Sequence, residues 1–169
     1  AQVYGSYNFY NMLAAICIGN YFKVPAKKID QAINSYESEN NRSEIRQMGD
    51  HTVYMDAYNA NPSSMKLAID NFDQLNQTVE SKILVLGDMF ELGADSNEEH
   101  RAIIDHCRSK SFGKMLFVGK HFAKAAAGMG VEHVESTEEA QKWYNAQKKE
   151  GSHILIKGSR GMALEKIVG

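Results

Sequence analysis

Ile83-Leu84-Val85-Leu86-Gly87-Asp88-Met89-Phe90-Glu91-Leu92-Gly93 passes from four consecutive aliphatic side chains into a polar loop bracketed by glycines. A strand with one face in water alternates apolar and polar residues. An unbroken apolar run suits a strand buried on both faces, as in a parallel sheet with helices on either side. Further strand-like runs span Glu44 to Met48, Thr52 to Asp56, Met115 to Val118, a weaker Glu132 to Val134, and His153 to Ile156. Helical spacing falls between them: Met65, Ala68, Ile69, Phe72 and Leu75 form one stripe, and Ala140, Trp143 and Tyr144 another. Leu164, Ile167 and Val168 predict a last helix, and Gly49-Asp50 between two short runs predicts an edge hairpin. The pattern predicts a doubly wound, mostly parallel α/β domain from about residue 42 to the end.

Two helices precede it. Phe9, Met12, Leu13, Ile16 and Cys17 keep an i, i+3, i+4 rhythm, and Ile29, Ala32, Ile33 and Tyr36 repeat it after Pro25, a helix-start residue. Glu37 to Ser43 contains no apolar residue and marks the boundary. A helix pair of this kind cannot bury its apolar faces alone. It either docks on the α/β domain or belongs to another domain, and the mid-domain character of Gly5-Ser6-Tyr7-Asn8 favours the second. The expected division is 1–41, the last helices of a domain cut away upstream, and 42–169, the α/β domain.

A net charge of -2 over 169 residues gives no field to draw in nucleic acid or a membrane surface. Cys17 and Cys107 both lie on apolar helix faces and are expected as small core residues in a reducing compartment. The six histidines show no metal-ligand spacing, no apolar run is long enough to span a bilayer, and the start does not resemble a signal peptide. A cytoplasmic monomer without nucleic-acid or membrane partners is expected.

Three polar segments follow strand-like runs: Asp56-Ala57-Tyr58-Asn59-Ala60-Asn61-Pro62, Gly87 to Gly93, and Lys157-Gly158-Ser159-Arg160. In an open α/β sheet, loops leaving the carboxyl ends of strands converge on one crevice, and all three are expected there. Asn61 and Pro62 fit the N-cap and first position of a helix. Capping alone does not account for Asp56, Tyr58 and Asn59, and an Asp at a strand end can accept hydrogen bonds from ribose hydroxyls. Asp88 and Glu91 suit either capping or a site. Ser96 with Glu99 makes a capping-box pattern, and His100 in that helix reads either as a satisfied surface residue or as a base. Ser159 can cap the last helix. Lys157 and Arg160 beside it suit an anion, because the helix dipole disfavours cations there. No Gly-x-x-x-x-Gly-Lys-Ser/Thr loop, Gly-x-Gly-x-x-Gly or nucleophile–His signature is present.

Taken together, these segments resemble the C-terminal part of a Mur ligase. The stretches that carry the likeness are Asp56 to Met65, Leu86 to Gly93, and Lys157-Gly158-Ser159-Arg160-Gly161-Met162. Gly5-Ser6-Tyr7-Asn8-Phe9-Tyr10-Asn11-Met12-Leu13-Ala14-Ala15 is similar to the family's Gly-x-His-Asn-x-x-Asn-Ala-x-Ala-Ala. The resemblance implies a Rossmann-like C-terminal domain that closes over a central ATPase domain of the same protein. It implies ATP and Mg2+ as cofactors, with the phosphate loop and the metal ligands upstream, so no catalytic or metal residue is expected here. It also implies an acyl-phosphate route joining D-alanyl-D-alanine to UDP-N-acetylmuramoyl-tripeptide, with this stretch inactive alone. Nucleotide contacts are implied for Asn8, Asn11, Arg42, Asp56, Tyr58 and Asn59, and substrate contacts for Asn61, Lys157, Ser159 and Arg160. Tyr7 stands where the family usually has His, and Asn40-Asn41-Arg42-Ser43-Glu44 replaces Pro-Gly-Arg-Leu/Phe-Glu. The alternative is a stand-alone flavodoxin-like module binding a nucleotide or small anion.

Overall fold

The computed structural model describes residues 5, 7–38 and 40–169. Helices α1 (Tyr7–Tyr21) and α2 (Ala26–Ser35) come first. The hairpin β1 (Glu44–Met48) and β2 (His51–Asp56) follows, turning at Gly49, whose φ of 69° suits glycine. Then come α3 (Pro62–Asp73), β3 (Lys82–Gly87), α4 (Ser96–Arg108), β4 (Lys114–Val118), α5 (Lys120–Ala126), β5 (His133–Val134), α6 (Thr137–Gln147) and β6 (His153–Lys157).

The sheet order is β1-β2-β6-β3-β4-β5, with only the β1–β2 pair antiparallel. The doubly wound reading with an edge hairpin therefore holds. Side chains of the central strands alternate between two apolar layers. Tyr54, Leu84, Leu86, Phe117 and Leu155 face Met65, Ile69 and Phe72 of α3, Ile103 and Ile104 of α4, and Phe122 of α5. Val53, Met55, Ile83, Val85, Ile154 and Ile156 face Ala140 and Tyr144 of α6 and the C-terminal residues Leu164 and Ile167. Two-sided burial is the physical reason for the unbroken run at residues 83–86.

Three local expectations are corrected, and one helix, α5, is an element the sequence did not mark. The last helix is absent: Arg160–Met162 and Leu164–Ile167 are short 3₁₀ turns, separated by Ala163 at φ 50°. A left-handed residue cannot continue a right-handed helix. Ser96 is the first residue of α4 rather than its cap, because the chain enters through a 3₁₀ turn at Gly93–Asp95. Helix α5 has no sequence stripe because it is only seven residues long. Cys107 is buried, which pushes its thiol up to about 12, but Cys17 is exposed. The α1 face that carries Cys17 also leaves Phe9 and Leu13 exposed.

Where β3 and β6 end side by side, two glycines touch. A Cβ on Gly158 would lie 2.6 Å from Leu164 Cδ1 and 3.0 Å from Gly87 Cα, and one on Gly87 would lie 2.7 Å from the same Leu164 methyl. Leu164 thus fills the only space either side chain would take. We predict that Gly158→Ala destabilises the domain by about 1–3 kcal/mol through overpacking, read as a lower urea midpoint at unchanged m-value.

Candidate functional site

Strand β2 ends at Asp56 and β6 at Lys157, and the parallel register places these residues side by side. The chain leaves β2 toward α3 on one face and leaves β6 toward the C-terminal turns on the other. Neighbouring strands whose connections diverge open a crevice at their carboxyl ends. Asp56 and Lys157 sit in that opening.

Lys157 Nζ donates to Asp56 Oδ2 at 2.7 Å and to the Asn59 carbonyl at 3.0 Å. Asp56 Oδ1 accepts the Ser43 backbone N–H at 3.1 Å. Their side chains are only 3% and 13% exposed for Lys157 and Asp56 respectively, so this is a shielded pair rather than a surface salt bridge. Asn61 caps α3 by accepting the Ser64 N–H at 2.9 Å, with Pro62 at the first turn, as its sequence position predicts. Beside it the Arg42 guanidinium lies 3.5 Å from the centroid of the Tyr58 ring, a cation–π stack at the mouth of the crevice.

Helix α1 closes the other side. Tyr7, Asn8 and Asn11 of α1 share one cleft of about 430 Å³ with Arg42, Asp56, Tyr58, Asn59, Asn61 and Lys157. Asn11 donates to the Asn8 side chain at 3.1 Å. The Tyr7 hydroxyl is held above its ordinary pKa, first by burial and second by the Asp56 charge, with its hydrogen bond to Ser43 opposing both. The cleft thus offers four side-chain amides, a carboxylate, two cations and three tyrosine rings to one ligand.

Eight of the ten residues named from the sequence line this cleft, and two do not. Ser159 is buried, and its Oγ accepts the Phe90 N–H at 2.9 Å instead of capping a helix. Arg160 turns outward to Glu165 at 2.8 Å, an intrachain reason for its charge. Tyr7, Tyr36, Ser38, Ser43 and Ser64 also line the cleft and were not singled out as site residues. The left-handed φ values of Asn40, Asn41 and Ser43, at 63°, 59° and 50°, place Ser43, and no local sequence signal marks them beyond two asparagines.

The Gly87–Gly93 segment does not join the cleft. Asp88 is 2% exposed and caps α5, its Oδ2 and Oδ1 accepting the N–H groups of His121 and Phe122 at 3.0 and 2.8 Å. His100 is neither a surface residue nor a free base: it is fully buried, with Nε2 accepting the Met89 N–H at 3.0 Å and Nδ1 2.6 Å from the Ser96 carbonyl. Nδ1 therefore carries the proton of a neutral ring. Burial first lowers the His100 pKa, against raising contributions from the Ser96 hydrogen bond and the Asp88 charge. Among the described residues no three His, Cys, Asp or Glu side chains gather into a metal-holding group.

Residues 41–160 match the family model described as Mur ligase, glutamate ligase domain. A UDP-N-acetylmuramoyl-tripeptide–D-alanyl-D-alanine ligase of Bacillus subtilis (strain 168) is 35% identical, over 98% of this chain and 38% of its own length. The protein of the same name from Treponema pallidum (strain Nichols) is 30% identical, over 96% of this chain and 36% of its own. A crystal structure of MurF from Acinetobacter baumannii superposes with a TM-score of 0.84 at 26% identity, covering 96% of this chain and 37% of that one. The chain therefore spans little more than a third of the length of these relatives.

Two outcomes follow from the geometry. Lys157→Met leaves the Asp56 carboxylate shielded without its cation and is expected to cost about 3–5 kcal/mol, with Asp56→Asn in the same chain recovering part of the lost melting temperature. For His100, the folded pKa lies below the ordinary 6.5, so the unfolded chain binds the extra proton first as pH falls. Its contribution is complete above pH 6.5 and diminishes below it. His153 is lowered by burial as well and acts in the same sense, so the measurement is the difference in urea midpoint between pH 7.5 and pH 5.5. That difference should be smaller in His100→Gln than in the unaltered protein.

Proposed function

Starting from the chain's membership of the Mur ligase family, we propose that it is the C-terminal part of a UDP-N-acetylmuramoyl-tripeptide–D-alanyl-D-alanine ligase. In this reading the whole enzyme joins D-alanyl-D-alanine to the precursor tripeptide at the expense of ATP, in peptidoglycan synthesis in the cytoplasm, as a monomer. Residues 1–41 belong to its central ATPase domain and residues 42–169 form the domain that closes over it. ATP supplies the phosphoryl group that activates the precursor carboxylate, and the dipeptide amine then displaces phosphate. Phosphoryl transfer of this kind rests on positioning and charge stabilisation more than on covalent chemistry by the protein. Domain closure supplies both.

The observation that supports this best is the cleft itself, because its two walls come from the two parts of the chain. Asn8 and Asn11 on α1 offer the amides that suit a base, Asp56 offers an acceptor for ribose hydroxyls, and Arg42 a cation for phosphate. Tyr58 presents an aromatic surface and Asn59 borders the same space. Lys157, held on Asp56, and Asn61 face the substrate side, whereas Ser159 and Arg160, implied there by the resemblance, are engaged by Phe90 and Glu165. Mg2+ is assigned to none of these side chains, since Asp56, the one carboxylate in the cleft, is already engaged by Lys157 and Ser43. A stand-alone flavodoxin-like module is disfavoured, because the likeness to the two curated ligases runs through the leading helices as well as the sheet.

In the full-length ligase, we expect Asp56→Ala to raise the Michaelis constant for ATP by the equivalent of about 1–3 kcal/mol for a lost charged hydrogen bond. Arg42→Ala should mainly lower the turnover number by impairing closure. The assay is product formation from ATP, UDP-N-acetylmuramoyl-tripeptide and D-alanyl-D-alanine. Unchanged kinetics in both variants would refute the assignment, as would product formation by residues 1–169 alone.

A further inference from the structure

The junction between the helix pair and the α/β domain holds three non-glycine residues in the left-handed region within four positions, Asn40, Asn41 and Ser43. Asparagine tolerates that region and serine does so at a cost, so Ser43 needs partners to stay there. It has one on each side of the junction. Its N–H is bound by Asp56 Oδ1 at the end of β2, and its hydroxyl lies 2.5 Å from the Tyr7 hydroxyl on α1. On the same side as Asp56, the Ala57 N–H binds the Asn41 carbonyl at 2.8 Å, which anchors the junction to the α/β domain. The helix pair itself buries no residue, and its large apolar side chains Phe9, Tyr10, Leu13 and Ile18 are exposed.

We propose that the Tyr7–Ser43 hydroxyl pair is a clasp that sets the position of α1 over the cleft, making Tyr7 a positioning residue for the site. Tyr7 and Asn11 are one helical turn apart and share a face, so fixing the Tyr7 ring aims Asn11 and its partner Asn8 at Asp56. Ser43 is the hub, since a single residue joins α1, through its hydroxyl, to Asp56 and thence Lys157. This rests on the reading of the cleft as a shared site, but the clasp is a statement about geometry and its test needs no nucleotide. The position that holds Tyr7 is also the one where the resemblance expects His, so the clasp is a property of this chain's own residue.

The test is a distance measurement by pulsed electron resonance in the 169-residue chain. One spin label goes on Cys17, which is exposed on α1, and one on Glu138→Cys, which is exposed on α6. Cys107 is buried with its thiol pushed up to about 12 and does not compete for label at neutral pH. In the otherwise unaltered chain we expect one dominant distance. Tyr7→Phe, which removes only the hydroxyl, should lower the ratio of that distance to all others about fivefold, the equivalent of about 1 kcal/mol for one hydrogen bond. Ser43→Gly, which keeps the left-handed backbone without strain and has no hydroxyl, should do the same, and the double variant should go no further than either. Superimposable distributions for Tyr7→Phe and the parent would overturn the proposal. So would a loss of helix content by circular dichroism in Tyr7→Phe, because the hydroxyl would then be folding α1 rather than placing it. Unaltered ATP kinetics in the Asp56 and Arg42 variants would remove the nucleotide reading and leave the clasp standing or falling on the distances alone.

Discussion

The ion pair between Asp56 and Lys157 organises everything around the cleft. Two neighbouring parallel strands end in register there with opposite charges, and little water reaches either side chain. Taking both ions out of water is costly, and the cost is met only when each retains further partners. Lys157 gains the Asn59 carbonyl and Asp56 gains the Ser43 N–H. Those two extra bonds tie down the loop after β2 and the junction before β1, which are the two segments a ligand in the cleft would meet. The pair that steadies the two strand ends thus also lines the cleft.

Next to it, a second set of polar contacts does purely structural work. Asp88 spends both carboxylate oxygens on the first amides of α5, and Gly119, at φ 115°, has no room for a Cβ beside that carboxylate. A helix of seven residues has little cooperativity of its own, so a buried anion at its start is an effective support. His100 locks Met89 from the opposite side, and the Ser159 hydroxyl binds Phe90. The loop after β3 is therefore braced from α4, α5 and the end of β6 at once. Such a loop holds the neighbouring strand end rigid while contributing nothing to the cleft itself.

The residues that misled are instructive because each had a sound local reading. Arg160 looked like a ligand residue since a cation is unfavourable at a helix start. The helix is not there, and Glu165, five residues on, takes the charge. Asp88 was open to either capping or a site, and like Asp56 it is an acid just after an apolar run. What separates them is the chain that arrives beside each one: the amides of residues 121 and 122 for Asp88, open space and Lys157 for Asp56. His100 sits in a polar helical stretch, and only the approach of the Met89 backbone makes it a core residue.

Periodicity and runs along the chain were enough to establish the parallel sheet, its edge hairpin, the helix pair and the cap at Asn61, because each is decided by side chains within a few residues of one another. The quoted segments also led to the family and to eight residues of the cleft. Which strand lies between β2 and β3, and hence that Lys157 rather than Asp88 faces Asp56, was settled only by the fold. The same holds for the Tyr7–Ser43 contact, which joins residues 36 positions apart. Partners of buried charges and of strained backbone are chosen by what the folded chain brings close, and separation along the sequence carries no trace of that distance.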